Sequence, residues 1–279
     1  MNKIVAIIFG LMLSVQATGQ GNFFWSHTGR TCPAWNLECY EYSGVSINPQ
    51  DGNPQEFFIS PNGTKMYEVG GTNDLIYQYT LSTAWDISTA TYDNVNFEPQ
   101  DNSPLAVFFK SDGTKMYELG TTSDLFYQYT LSTAWDISTA TYDNVSISNQ
   151  NSFSQSFFIG NSGTKLYEVS PSTRKIYQYT LSTAWDLSTA TYDNVSISSQ
   201  SFINDIFFKS DGTKMYELTS TRIYQYTLST AWDISTATYD NVTVSNNESG
   251  AVGIVFKLDG ENLYQINNDT DKIYQYKLK

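Results

Sequence analysis

The side chains able to do chemistry are few in kind. The chain has one histidine, His27, which lies outside its repeats, and two cysteines, Cys32 and Cys39. A serine–histidine–aspartate arrangement would have to recruit that single imidazole. A zinc site needs more nitrogen and sulfur ligands than these, and the carboxylates show no recognisable ligand spacing, so no metal is expected. Carboxylates themselves are plentiful, but the frequent ones come in sets. Asp86, Asp136, Asp186 and Asp233 form one set, and Asp93, Asp143, Asp193 and Asp240 another. Paired carboxylates do acid–base work when their environments differ. A residue repeated along the chain meets the same environment each time, and no asymmetric pair stands out. The expectation is therefore a non-enzyme with no catalytic residue. The only adjacent glycines, Gly70 and Gly71, read as a hairpin turn rather than a phosphate cradle, and no cofactor is expected.

The sharpest candidates for ligand binding are Trp35, Trp85, Trp135, Trp185 and Trp232. An indole face stacks on a sugar ring or a cation, and five equivalent copies would raise avidity. The competing reading is structural: each indole plugs a seam, and the aspartate after it caps a turn. Exposure of the rings decides between the two. Lys65, Lys115, Lys165 and Lys214 are expected to pair with nearby acids at little net gain.

These residues are placed by an internal repeat. A Gly-Thr-Lys landmark begins at Gly63, Gly113, Gly163 and Gly212, with a degenerate copy at Gly260, at spacings of 50, 50, 49 and 48 residues. Tyr-Gln-Tyr begins at Tyr77, Tyr127, Tyr177, Tyr224 and Tyr274. One repeat reads as four short strands, Leu105 to Lys110, Lys115 to Leu119, Leu125 to Leu131 and Thr141 to Ile147, separated by turn signals such as Ser111-Asp112-Gly113. At most Trp135 to Thr139 makes one helical turn. The chain enters its first repeat near Cys32-Pro33-Ala34-Trp35 and leaves its last at Tyr274 to Leu278, so the two ends are complementary parts of one repeat. A linear stack has no need of this; a closed ring does. Four-stranded units of this length around a ring are the blades of a five-bladed β-propeller, an all-β fold.

The stretch Phe108-Phe109-Lys110-Ser111-Asp112-Gly113-Thr114-Lys115-Met116-Tyr117 resembles the first hairpin of YVTN-type and NHL-type propeller blades. Five copies with a tryptophan-bearing repeat also resemble the tachylectin-type lectins, a likeness at the level of fold. The resemblance implies that the first strand of each blade lines the central channel and the fourth is outermost. Trp35 to Ile47 would then be the outer strand of the blade completed by Ile254 to Leu278. Cys32 takes the place of Ser82, and Cys39 that of Thr89. If they bridge, those two positions lie within about 7 Å in every blade.

Residues 1–19 read as a secretory signal peptide: Lys3, an apolar run from Ile4 to Val15, then the small residues Ala17 and Gly19. Residues 20–31 would be an N-terminal arm, and 32–279 a single propeller. A formal charge of −13 argues against nucleic acid and anionic membrane surfaces as partners. The repeats agree at the Asp-Gly-Thr turn and the tryptophan loop, and differ at the joints on the opposite face. Together these features point to a secreted (extracellular or periplasmic) monomeric binding or adhesion module for a glycan or protein ligand, lectin-like through the tryptophans. The alternatives are a protein-interaction scaffold using the varied face, and a carbohydrate- or lactone-directed enzyme in the channel.

Overall fold

The computed structural model describes residues 32–279. They form five four-stranded antiparallel sheets. Blade 1 runs from Pro54 to Phe97, blade 2 from Pro104 to Ser148, blade 3 from Ser156 to Ser198 and blade 4 from Ile203 to Ser245. Blade 5 takes three strands from Ala251 to Leu278 and its fourth from Tyr40–Ile47. Tyr40 pairs with Leu278 and Ile47 with Ile273, so the N-terminal strand closes the ring. In the second repeat the strands are Pro104–Phe109, Lys115–Gly120, Leu125–Leu131 and Ala140–Ser148, within a residue or two of the sequence reading.

Each seam between blades holds one apolar cluster, in which the inner and middle strands of adjacent blades interdigitate. Met66, Tyr79 and Ile87 of blade 1 pack with Tyr264 and Ile273 of blade 5, for example. Both faces of a blade are covered by its neighbours, which is why the middle strands read as apolar runs without alternation. Two polar contacts then recur at all five seams. The tyrosine of the second strand donates to the carbonyl of a tryptophan in the next blade: Tyr67 to Trp135, Tyr117 to Trp185, Tyr167 to Trp232, Tyr216 to Trp35 and Tyr264 to Trp85, at 2.5–2.7 Å. The glutamine of Tyr-Gln-Tyr accepts from the next blade's short 3₁₀ turn: Gln78 from Ile137, Gln128 from Leu187, Gln178 from Ile234, Gln225 from Leu37 and Gln275 from Ile87. Hydrogen bonds of this kind contribute about 1 kcal/mol each when buried, and their directionality fixes the angle between blades.

The outer strands carry a bulge. Register shifts where Gln78 and Tyr79 meet Val95 and Tyr92, and Asn94 there takes a φ of 57°. Asparagine tolerates this left-handed conformation better than most residues, which accounts for the repeated Asp-Asn pair. In blade 5 the position is Gly44, at φ 82°.

Candidate active site

The inner strands carry one position that is different in every blade. The residue before Phe57 is Glu56; its counterparts are Ala106, Ser156, Asp205 and Gly253. In blades 1, 2, 4 and 5 the inner strand also shifts register against its partner there. A bulge re-aims the side chain it carries.

Ser156, Asp205 and Glu56 meet through this position. The Ser156 Oγ lies 2.6 Å from Asp205 Oδ1 and 3.2 Å from Glu56 Oε2. Blades 1 and 3 are not neighbours, so the contact with Glu56 spans the channel. Asp205 also accepts from the Ile206 N–H on Oδ1 at 2.7 Å and from the Ile254 N–H on Oδ2 at 2.8 Å. Glu56 Oε1 accepts only from the Phe57 N–H, at 3.0 Å. Gly253 leaves the space Glu56 occupies: a Cβ there would stand 2.3 Å from Glu56 Oε1.

This hydrogen bonding places one proton. A serine hydroxyl has a single hydrogen, and the shorter contact gives it to Asp205, whose two oxygens already face donors. Glu56 Oε2 is then left facing the lone pairs of Ser156 and must carry a proton to bond there. Burial, and after it the negative charge of Asp205, push the Glu56 carboxyl well above the usual carboxylate range. Burial also raises Asp205, against the hydrogen bonds from Ser156, Ile254 and Ile206. The two titrate as a pair in which Asp205 ionises first.

A cavity of about 300 Å³ adjoins the three residues, within the range of small-molecule sites. Its wall is a collar of phenyl rings. Phe58, Phe108, Phe158 and Phe207 meet edge to face at centroid distances of 5.2–5.4 Å, and Val255 takes the fifth place. On the varied-loop side lies a second depression of about 410 Å³, bordered by Gln55, Gln155, Asn204, Ser249 and Asp269.

The candidates named from sequence fall elsewhere or at the cavity's edge. Each tryptophan adopts a positive φ and covers the glycine of its own blade's turn. Trp35 and Trp85 are 8% and 9% exposed, and Trp135, Trp185 and Trp232 are half-buried. Their rings pack against neighbouring-blade aromatics, as Trp135 does on Tyr67 and Phe58. Trp85, Trp185 and Trp232 also border the cavity. Asp86, Asp136, Asp186 and Asp233 cap the 3₁₀ turns, accepting from the serine N–H two residues on. Asp93, Asp143, Asp193 and Asp240 pair with Lys65, Lys115, Lys165 and Lys214. Cys32 and Cys39 form a disulfide with Cα atoms 5.6 Å apart. In blade 1 the Ser82 N–H points at the Thr89 carbonyl in the same place, at 3.5 Å. His27 and the signal and arm segments lie outside the described residues.

Sequence reasoning also passed over four buried glutamates, Glu68, Glu118, Glu168 and Glu217. Each accepts from a tyrosine hydroxyl, Tyr79, Tyr129, Tyr179 or Tyr226, and from loop N–H groups that lead into the inner strand. Burial pushes Glu68 and Glu118 up to about 7 against these hydrogen bonds. In blade 5 the pair becomes Gln265 and Tyr276. These clamps repeat and serve the fold.

No protein-family model matches the chain, and no curated protein matches it. Solved structures of the same architecture do. A proposed 6-phosphogluconolactonase from Bacteroides uniformis aligns at a TM-score of 0.51 and 13% identity, over 77% of this chain and 64% of that one. A second, from Bacteroides fragilis, aligns at 0.50 and 13%, over 79% and 65%. The chain thus spans a little under two thirds of the length of either. At this identity the likeness establishes the propeller fold. These neighbours carry a lactonase name, which does not specify the YVTN-type, NHL-type or tachylectin-type likeness expected from sequence. The reading from sequence of a non-enzymatic, lectin-like binding module is corrected on this point. The propellers it aligns with carry an enzyme's name, and the channel holds the symmetry-breaking carboxylate pair, Glu56 and Asp205, that the sequence reading did not find.

Proposed function

We propose that the protein is a lactone-directed hydrolase working in its central channel. The observation that carries this is Ser156, held between the carboxylate of Asp205 and the protonated carboxyl of Glu56. A nucleophile hydrogen-bonded to a base that other groups hold in place, as the Ile206 and Ile254 N–H groups hold Asp205, is the arrangement covalent acyl transfer uses. The names of the fold neighbours support the reaction class.

The Ser156 Oγ attacks the lactone carbonyl carbon while Asp205 takes the hydroxyl proton. The ring C–O bond breaks and Glu56 protonates the departing alkoxide. A water molecule then attacks the acyl-serine, giving a proton to Glu56, and Asp205 returns its proton to Ser156. The balance is one lactone and one water to one hydroxy acid. Trp85, Trp185 and Trp232 border the cavity that would hold the substrate. Activity should rise as Asp205 ionises, near a pH of about 7, and fall again once Glu56 loses its proton.

The test is hydrolysis of δ-lactones followed by proton release, with wild type, Ser156→Ala and Asp205→Asn. Each substitution should lower kcat/KM by about 10²–10⁴ with circular dichroism unchanged. Turnover surviving in folded Ser156→Ala would remove the serine from the mechanism. Export is also proposed, from the Ile4 to Val15 run. The mature N-terminus should lie after Ala17 or Gly19, and an intact N-terminus on the exported protein would refute that.

A further inference from the structure

We infer that the substrate is an uncharged lactone carrying an apolar chain or face, and that phosphorylated sugar lactones are excluded. This rests on the hydrolase reading above and goes beyond it to specificity. A phosphate group needs arginine, lysine or a cluster of N–H donors to replace its hydration. Among the described residues, none of the side chains bordering the cavity is basic. The lysines of the adjoining inner hairpins are already occupied. Lys110 pairs with Asp112 at 2.7 Å, Lys209 with Asp211 at 2.7 Å and Lys257 with Asp259 at 2.6 Å. In blades 1 and 3 the same position is Ser60 and Gly160.

What the cavity does offer, beside the neutral turn side chains of Ser111, Asn161, Ser162 and Ser210, is hydrocarbon. The phenyl collar stands between the carboxylates and the turn residues Pro61 and Leu258, and Leu258 is 48% exposed where blades 2 and 4 have Ser111 and Ser210. A dianion held there would lose its water to phenyl edges and face the Asp205 carboxylate. An alkyl chain would remove both its own surface and that of the collar from water. The charge balance also serves turnover. The substrate enters neutral and the product leaves as a carboxylate, repelled by the group that helped to make it.

Three lactones discriminate: δ-octalactone, glucono-δ-lactone and 6-phosphoglucono-δ-lactone, assayed with wild type and Asp205→Asn. The expected kcat/KM for δ-octalactone exceeds that for the phosphorylated lactone at least tenfold, and it is lost in Asp205→Asn. Equal or better turnover of the phosphorylated lactone, lost in Asp205→Asn, would overturn the inference while leaving the hydrolase reading intact. Turnover of neither would refute the hydrolase reading. The specificity is then decided by binding, read from quenching of the tryptophans that border the cavity. The probes are the lactam analogue of δ-octalactone and 6-phosphogluconate. At least tenfold tighter binding of the lactam supports an apolar, uncharged ligand. Equal, reversed or absent binding overturns it.

Discussion

Replacing Glu56 with glutamine tests the proton assignment on which the site depends. The protonated carboxyl of Glu56 accepts the Phe57 N–H on Oε1 and faces the Ser156 Oγ with Oε2. A glutamine amide reproduces both, with its oxygen toward Phe57 and its NH₂ toward Ser156. At pH 5 the variant should therefore lie within about 0.5 kcal/mol of wild type, the range of substitutions that disturb no feature. The difference must then grow with pH. The folded state holds the Glu56 proton above its unfolded value, so its contribution is full at low pH and is lost as pH rises toward the folded pKa. Each pH unit in that window costs wild type about 1.4 kcal/mol, and glutamine does not titrate. Between pH 5 and the folded pKa the variant should therefore gain steadily on wild type, each kcal/mol gained raising Tm by about 2–4 °C for a domain of this size. Calorimetric melts at half-unit steps of pH measure it. Asp205→Asn should behave differently at pH 5, starting about 1–3 kcal/mol below wild type. Its NH₂ would face one of the N–H groups that Asp205 accepts, leaving a buried donor unpaired. A pH-independent offset for Glu56→Gln, or a loss of more than 2 kcal/mol at pH 5, would show that Glu56 is ionised and that the proton sits elsewhere.

Three further changes probe the frame. Gly113→Ala puts a Cβ 2.4 Å from the Trp135 ring at a φ of 75°. It should cost about 2–3 kcal/mol and red-shift tryptophan emission; an unshifted spectrum would mean that the ring does not pack there. Opening the Cys32–Cys39 bridge, by reduction or by Cys32→Ser, removes the restraint on a seven-residue separation at the closing strand. About 2 kcal/mol should be lost, and an unchanged Tm would detach the bridge from ring closure. A chain shortened through Asn48 lacks the strand Tyr40–Ile47 and exposes the edge of Lys272–Leu278. It should self-associate in light scattering, and a monomer with an unchanged Tm would contradict closure by strand pairing.

The fold was legible because its determinants repeat. Complementary ends, turn glycines and the Tyr-Gln-Tyr strand are local signals multiplied by five, and the ring follows from counting them. Ring closure by Tyr40–Ile47 and the cysteine bridge could be read for the same reason, since each occupies a position already defined by other copies. The tryptophans looked like a binding set because they recur. Their repetition also has a structural side: each ring covers a turn glycine, and the rings pack on neighbouring-blade aromatics. The site was hidden by that way of reading. Comparing repeats for what they share discards the one position where they differ in chemistry. Among the described residues, Glu56, Ala106, Ser156, Asp205 and Gly253 form the only inner-strand position that carries ionisable residues, and alignment by position exposes it. What no alignment gives is the convergence of blades 1, 3 and 4 across the channel, because that depends on the ring radius and the bulges.

Symmetry and chemistry make opposed demands on this chain. A seam works when every blade is alike, so each buried tyrosine and glutamine finds the partner it meets in the other seams. Acid–base chemistry needs two carboxyl groups that are unlike, one holding a proton and one without. The propeller can satisfy both because its inner strands face one another across an axis. Side chains on the seams see only the next blade, whereas one on the axis can reach past it, as Ser156 reaches Glu56. A change confined to the axial position leaves the recurring tyrosine and glutamine contacts of the seams in place, yet alters the environment of axial side chains on more than one other blade. Glu56 depends on Gly253 in one neighbour for space, on burial and then the charge of Asp205 for its raised pKa, and on Ser156 for its partner. Placing alanine at Asp205, as in blade 2, would take away the charge that couples to Glu56.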